Sequence, residues 1–193
     1  MIAQIRGKLI EKTPTYVVID CGGVGYELKI SLNTFSQIGA AEECVLFTHF
    51  VVREDAQILY GFKETSEREL FRLLISVSGV GSATAVMILS SLSPNETKGA
   101  ILTGDVNTLK SVKGIGAKSA ERIIIDLRDK IGKIDSSATI SLTPSNTIKE
   151  EAVSALLMLG FSKNPAEKAL TKILSSGEEL TVEELIKRTL KNL

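Results

Sequence analysis

Apolar positions in the first 62 residues fall in short, β-branched or alternating runs: Ile2 to Leu9, Tyr16 to Asp20, Gly25 to Ile30, Cys44 to Arg53 and Gln57 to Phe62. Turn residues such as Pro14 and Gly22-Gly23 separate them, and the pattern predicts five strands. So many strands in so short a stretch suit a small barrel of the OB type better than a sandwich, which takes about 100 residues. From residue 63 the period becomes helical, with candidates at Arg68 to Val77, Ala83 to Leu92, Pro94 to Thr103, Asp105 to Val112 and Ala117 to Ile131. Ser93 before Pro94 marks a start and Gly104 a stop. Residues 133 to 147 hold seven Ser or Thr, one Pro and no helical stripe, and predict a flexible tether. Three short amphipathic helices follow, carried by Val153, Leu156 and Leu157; by Ala166, Ala169, Leu170, Ile173 and Leu174; and by Val182, Leu185, Ile186 and Leu190. Gly160 ends the first, Asn164-Pro165 starts the second, and Thr181 to Glu184 form a capping box for the third. The expected fold class is a multidomain α+β chain: barrel 1–62, all-α domain 63–132, linker 133–147, three-helix bundle 148–193.

Within the all-α segment one pattern occurs twice, 35 positions apart: Val77-Ser78-Gly79-Val80-Gly81-Ser82-Ala83-Thr84-Ala85 and Val112-Lys113-Gly114-Ile115-Gly116-Ala117-Lys118-Ser119-Ala120. Each reads as helix, Gly-apolar-Gly turn, helix. Phe71, Leu74 and Val77 correspond to Val106, Leu109 and Val112; Ala85, Ile88 and Leu89 correspond to Ala120, Ile123 and Ile124. Glycines on both sides of the apolar plug allow a tight turn and a close approach to something bulky. The next helix then begins with a row of free N–H groups at the positive end of its dipole, an anion site. One such turn is also a plain interhelical connection, but two in register point to two phosphates of a nucleic-acid backbone. A dinucleotide fingerprint is excluded because Thr84 and Ser119 stand where a third glycine is needed, and no G-x-x-x-x-G-K-[ST] occurs. Lys118 and Arg122 share one face near the start of the second copy's trailing helix, where cations oppose the dipole unless an anion intervenes. Their counterparts in the first copy are Ala83 and Met87, so that copy relies on backbone groups.

The formal net charge is zero, but it is unevenly spread. Residues 1–62 carry 5 Lys+Arg against 7 Asp+Glu, residues 63–134 carry 11 against 8, and residues 135–193 carry 7 against 8. The cationic excess lies where the turns are, as attraction to phosphate requires. No apolar run reaches the roughly 20 residues of a membrane span, and the start breaks too soon for a secretory segment, so a cytoplasmic protein is expected. Cys21 and Cys44, without a C-x-x-C, are expected to be buried free thiols, and no metal site or cofactor is expected. His49, alone in an apolar run, is expected to be structural.

Glu54-Asp55 fall at the tip of the last hairpin. A two-residue turn favours Asn-Gly or Gly there, so the strands are expected to separate early and leave an acidic protrusion. Carboxylates at such a tip either solvate a loop or, beside a phosphate-binding surface, repel duplex backbone and restrict the geometry admitted. As adjacent strand residues they point to opposite faces and make a poor metal pair. Leu159-Gly160-Phe161 is a candidate partner contact, or part of the small bundle's own core.

Met1-Ile2, Gly23-Val24-Gly25-Tyr26-Glu27, Val52-Arg53-Glu54-Asp55-Ala56, Leu59-Tyr60-Gly61-Phe62, both Gly-x-Gly turns, Ala120-Glu121-Arg122, Glu151 to Leu156 and Leu159-Gly160-Phe161 stand in an order that resembles the RuvA family. That family comprises the Holliday-junction-recognition subunits of the bacterial RuvAB branch-migration complex. The resemblance implies an OB-fold domain, a tandem helix-hairpin-helix domain and a mobile, UBA-like three-helix domain. It implies a non-catalytic homotetramer, with an octamer as the alternative, that holds a four-way junction open and nearly planar in recombination and DNA repair. Gly79, Val80, Gly81 and Ser82, and Gly114, Ile115, Gly116 and Ala117, would hold phosphates, with Lys118 and Arg122 assisting. Glu54 and Asp55 match the acidic pin at the crossover, and residues 148–193, with Leu159, Gly160 and Phe161, would engage the ATPase RuvB. Many relatives carry lysine where Ala83 stands, which implies a weaker first hairpin. A structure-specific nuclease and a protein-only adaptor are the competing readings: the first predicts Mg²⁺-dependent cleavage, the second indifference to changes at Gly114 and Gly116.

Overall fold

The computed structural model describes residues 1–39, 42–138, 144–174 and 180–192. Strands β1 (Gln4–Lys12), β2 (Tyr16–Asp20), β3 (Gly25–Lys29), β4 (Glu43–Val52) and β5 (Gln57–Phe62) close a barrel in the order β1-β2-β3-β5-β4. All pairings are antiparallel except β3 with β5. This is the OB order expected from the strand spacing. Alternation decides the faces: Val17 and Ile19 of β2, Leu28 of β3 and Leu46 of β4 are fully buried inside, while Tyr16 and Val18 stand outward. β1 runs three residues beyond its expected end, and the register shift between Leu9 and Glu11 leaves Ile10 exposed.

Helix α1 (Leu32–Gln37) lies between β3 and β4 and was not expected, because its sequence has no apolar stripe. Its buried partner is polar. Helix α2 (Thr65–Ile75) places Glu67 fully buried in its first turn. The Ser31 hydroxyl donates to Glu67 Oε1 at 2.5 Å and the Thr34 hydroxyl to Oε2 at 2.7 Å. Ser31 also caps α1 by accepting from the Thr34 N–H at 2.9 Å. A carboxylate so deep is tolerable because both oxygens receive donors.

The remaining helices of this unit are α3 (Ser82–Ser91), α4 (Pro94–Thr103), α5 (Val106–Lys110) and α6 (Ala117–Ala138). Ser93 and Glu96 form a capping box at α4, Gly104 ends it at φ 76°, and Asp105 is the cap of α5 and lies outside it. One core joins barrel and helices. Phe71 of α2 is fully buried against His49, Tyr60 and Phe62 of the barrel, with ring centroids 5.0 to 5.4 Å apart. Met1–Ser137 accordingly form one compact unit and Ala138–Leu193 a second.

In the second unit α7 (Pro144–Met158), α8 (Lys163–Leu174) and α9 (Val182–Leu190) enclose Ala152, Leu156, Ala166, Leu170, Leu180 and Leu185. The Thr181/Glu184 capping box forms as expected. Of the expected tether 133–147, backbone through Ala138 belongs to α6 and from Pro144 to α7, while 139–143 lie outside the described residues.

Candidate nucleic-acid interface

The two Gly-apolar-Gly turns are copies in three dimensions as well as in sequence. Leu74 and Leu109 are fully buried, as are Ala85 and Ala120 and Ile88 and Ile123, while the plugs Val80 and Ile115 are each 6% exposed. The plug's N–H closes each turn, Val80 donating to the Val77 carbonyl at 3.0 Å and Ile115 to Val112 at 3.1 Å. Helices α3 and α6 then begin with Ala85 bonding back to Gly81 at 2.9 Å and Ala120 to Gly116 at 3.0 Å.

The glycines of each turn do different things. Gly79 and Gly114 sit at φ 90° and 91°, in the left-handed region that L residues with a Cβ avoid. Gly81 is ordinary extended backbone at φ −82°, and neither it nor Gly116 has a positive φ. A Cβ built on Gly81 or Gly116 would meet nothing within 4 Å. Packing inside the described residues therefore does not demand glycine at these two positions, and the space beside each α-carbon is open.

Gly81 caps α3 without a side-chain hydrogen bond. Among the described residues no acceptor takes the N–H groups of Gly81, Ser82 and Ala83, or of Gly116, Ala117 and Lys118. These are the orphan donors of a helix start, and they favour a negatively charged ligand. The copies are not equal. Ser82 is buried where Ala117 is exposed, and Lys118 is exposed where the first copy has Ala83. Arg122 reaches down its own helix to Asp126, 3.8 Å away. Lys113, exposed immediately before Gly114, is a cation that the sequence reading counted only in the regional charge; its place next to the turn was the available signal.

Glu54 and Asp55 are exposed at the β4–β5 tip, but the strands do not part early. Val52 pairs with Gln57, and the Arg53 N–H donates to the Ala56 carbonyl at 2.8 Å. No described non-glycine residue has positive φ, so the turn manages without the Asn-Gly geometry and the ladder runs to its end. The base of this hairpin packs on the helices through Val51 and Ile58. Ile58 and Ala83 line one cleft, which brings the first turn beside the acidic hairpin. No three His, Cys, Asp or Glu side chains cluster among the described residues, so Glu54 and Asp55 stand as bare charges.

His49 is half-buried with its Nδ1 unpartnered and its ring edge-on to Phe71, in keeping with a structural role. Burial, then Arg72 and Arg68, hold its pKa below the ordinary imidazole range. Cys44 is buried and its thiol pushed up by that burial, whereas Cys21 is only half-buried and its thiol donates to the Arg6 carbonyl. In the second unit Leu159, Gly160 and Phe161 form the C-terminal stop of α7. Gly160 has φ 93° and the Phe161 N–H returns to the Leu156 carbonyl. Their side chains are not the bundle's core: Leu159 is 60% and neighbouring Met158 87% exposed, an apolar patch on a small surface. No helix among the described residues is long and apolar enough to cross a membrane.

Comparison with known proteins matches residues 1–61 to the RuvA N terminal domain, 71–129 to the SAM-like helix-hairpin-helix tandem, and 147–193 to the RuvA C-terminal domain. The chain is 55% identical, over the whole of both chains, to the Holliday junction branch migration complex subunit RuvA of Christiangramia forsetii. It is 48% identical to that of Bacteroides thetaiotaomicron and 46% to that of Porphyromonas gingivalis, again with full coverage of both. A closed OB barrel, two helix-hairpin-helix turns on one core, a three-helix C-terminal unit and full-length likeness agree: the chain belongs to the RuvA family.

Proposed function

We propose that this protein binds four-way DNA junctions as a homotetramer and presents them to the ATPase RuvB for branch migration. The observation that carries the reading is the pair of matched turns that end in unpaired amides, with open space beside the α-carbons of their second glycines, Gly81 and Gly116. A phosphodiester seated on the amides of residues 81–83 or 116–118 comes within van der Waals reach of those α-carbons, and a side chain there would hold it off. Such contacts read backbone, not bases, so selectivity must come from the arrangement of arms. Four copies around a closed axis supply it, since a four-armed ligand is matched by cyclic repetition of one site. The acidic tips then meet near the crossover, where Glu54 and Asp55 repel phosphates and keep the strands apart. Work against base pairing comes from the partner motor, engaged through Leu159, Gly160 and Phe161; the exposure of Leu159, Phe161 and neighbouring Met158 supports that role.

The test is a gel shift with a four-way junction and a linear duplex of equal length, with the mass of the complex measured. Parent protein should prefer the junction and bind as four copies. Gly81→Ala with Gly116→Ala should still fold, at a cost of at most about 1 kcal/mol per site, because the backbone is compatible with alanine but alanine is a poorer N-cap than glycine. That variant should lose junction affinity tenfold or more. Gly79→Ala, by contrast, forces a Cβ into the left-handed region and should cost about 1–3 kcal/mol of stability. Equal affinity for junction and duplex, or a double alanine variant that binds like the parent, refutes the reading.

A further inference from the structure

The cleft lined by Ile58 and Ala83, about 440 Å³, opens between the barrel and α3 and is also lined by Pro14, Thr15, Lys29 and Met87. We propose that Lys29 of β3 supplies, from the barrel, the phosphate-binding cation that the first turn lacks at Ala83. The proposal rests on the reading of the turns as backbone-phosphate sites and adds a residue from another domain to the weaker one.

Three observations converge. The first is the vacancy itself: the second turn carries Lys118 on its own helix, and at the matching place the first has a methyl group. The second is place. The Leu32 N–H donates to the Ser90 hydroxyl at 3.1 Å, tying the far end of α3 to the residues after β3, and Lys29 and Ala83 line the same cleft. The third is the face. Lys29 stands with Pro14 and Thr15 of the β1–β2 loop, one of the loops through which OB barrels receive nucleic acid.

Lys29 is held ready and not consumed. Its ammonium lies 2.8 Å from Glu27 and 5.2 Å from the centre of the Tyr16 ring, with nearly half the side chain exposed. An exposed pair of this kind is weak, and an ammonium has three donors, so a phosphate can share or replace Glu27. Tyr16 steadies the long side chain while it does so.

The experiment compares full-length parent, Lys29→Gln, Lys118→Gln and Lys29→Gln with Ala83→Lys, measuring junction affinity across a salt series alongside thermal stability. Lys29→Gln should bind the junction about three- to tenfold more weakly at moderate salt, with a salt slope shallower by about 1 for each phosphate left without its ammonium and an unchanged melting temperature. Lysine introduced at Ala83 in that background should restore both affinity and slope, because it returns the cation to the helix itself. Parent-like affinity and slope in Lys29→Gln, while Lys118→Gln loses both, overturns the proposal and leaves the turns as phosphate sites. Failure of Ala83→Lys to restore binding overturns it too, by placing the effect of Lys29 elsewhere. If Lys118→Gln and the glycine variants are also silent, the underlying reading fails and takes the proposal with it.

Discussion

At His49 the sequence suggested a structural role from the lack of any partner group, and the structure supplies the reason. The imidazole sits edge-on to Phe71 with Nδ1 unpartnered, where barrel and helices share a core. Burial and the nearby Arg72 and Arg68 favour the neutral ring, so the folded protein binds a proton less readily than the unfolded chain. Its contribution to stability is therefore complete above the ordinary imidazole pKa of about 6.5 and is lost as pH falls through that value toward the depressed one. Melting temperature should decline between pH 7 and 5, and His49→Leu should flatten that decline; an identical slope in the variant would show that other groups carry it. The carboxylates Glu96 and Glu184 are held low by hydrogen bonds from the cap residues Ser93 and Thr181, and the cap Asp105 by those from Thr108 and Asn107; these groups act in a separate, more acidic window. The two glycines of each turn looked alike in the sequence. Only φ separates the one that the fold holds in the left-handed region from the one that sits in ordinary extended backbone.

Helix α1 shows where hydrophobic patterning loses its grip on an element. Its buried side is made by Ser31 and Thr34, which a periodicity of apolar residues cannot register, and their partner Glu67 lies 33 residues beyond Thr34. Glu67→Ala would strand two buried hydroxyls and remove the tie between α1 and α2. It should cost about 2–4 kcal/mol, read as a fall in the denaturant midpoint. Glu67→Gln keeps one acceptor and should cost less; equal losses would mean that charge, not hydrogen bonding, holds the site. The helix-hairpin-helix elements behaved oppositely. Their caps, their glycines and their apolar stripes are all local, and their starts fell within a few residues of expectation, although α6 runs to Ala138, well past the expected Ile131. The β4–β5 hairpin falls between these cases: its strands were legible, but the tight closure at Glu54-Asp55 was not, because the turn is enforced by the ladder on both sides and not by turn residues.

For the whole molecule as proposed, four protomers with two turns each would present ~8 phosphate sites, and full cationic neutralisation of ~8 charges would make log K fall by about 7 per decade of salt. Amide donors release fewer counterions than ammonium groups, and only the second turn has its own exposed lysine. Junction binding by the parent should therefore weaken with salt along a slope clearly shallower than 7 but not zero. A slope of zero would contradict phosphate binding, and one near 7 would move the weight from amides to side chains. The modest regional charge is consistent with this division, since a site built from helix starts needs little net charge to attract an anion.

The sequence by itself determined the kinds of element, the order of units and the twofold repetition of the turns, because each is written in short-range periodicity and in residues with special backbone freedom. It also sufficed to suggest the family. Tertiary structure alone decided that barrel and helices share one core through Phe71, that α1 exists, and that Gly81 and Gly116 face empty space. It alone brought Lys29 and Ala83 to the lining of one cleft. Those facts depend on which surfaces meet across tens of residues, and neither local propensity nor spacing along the chain encodes such meetings.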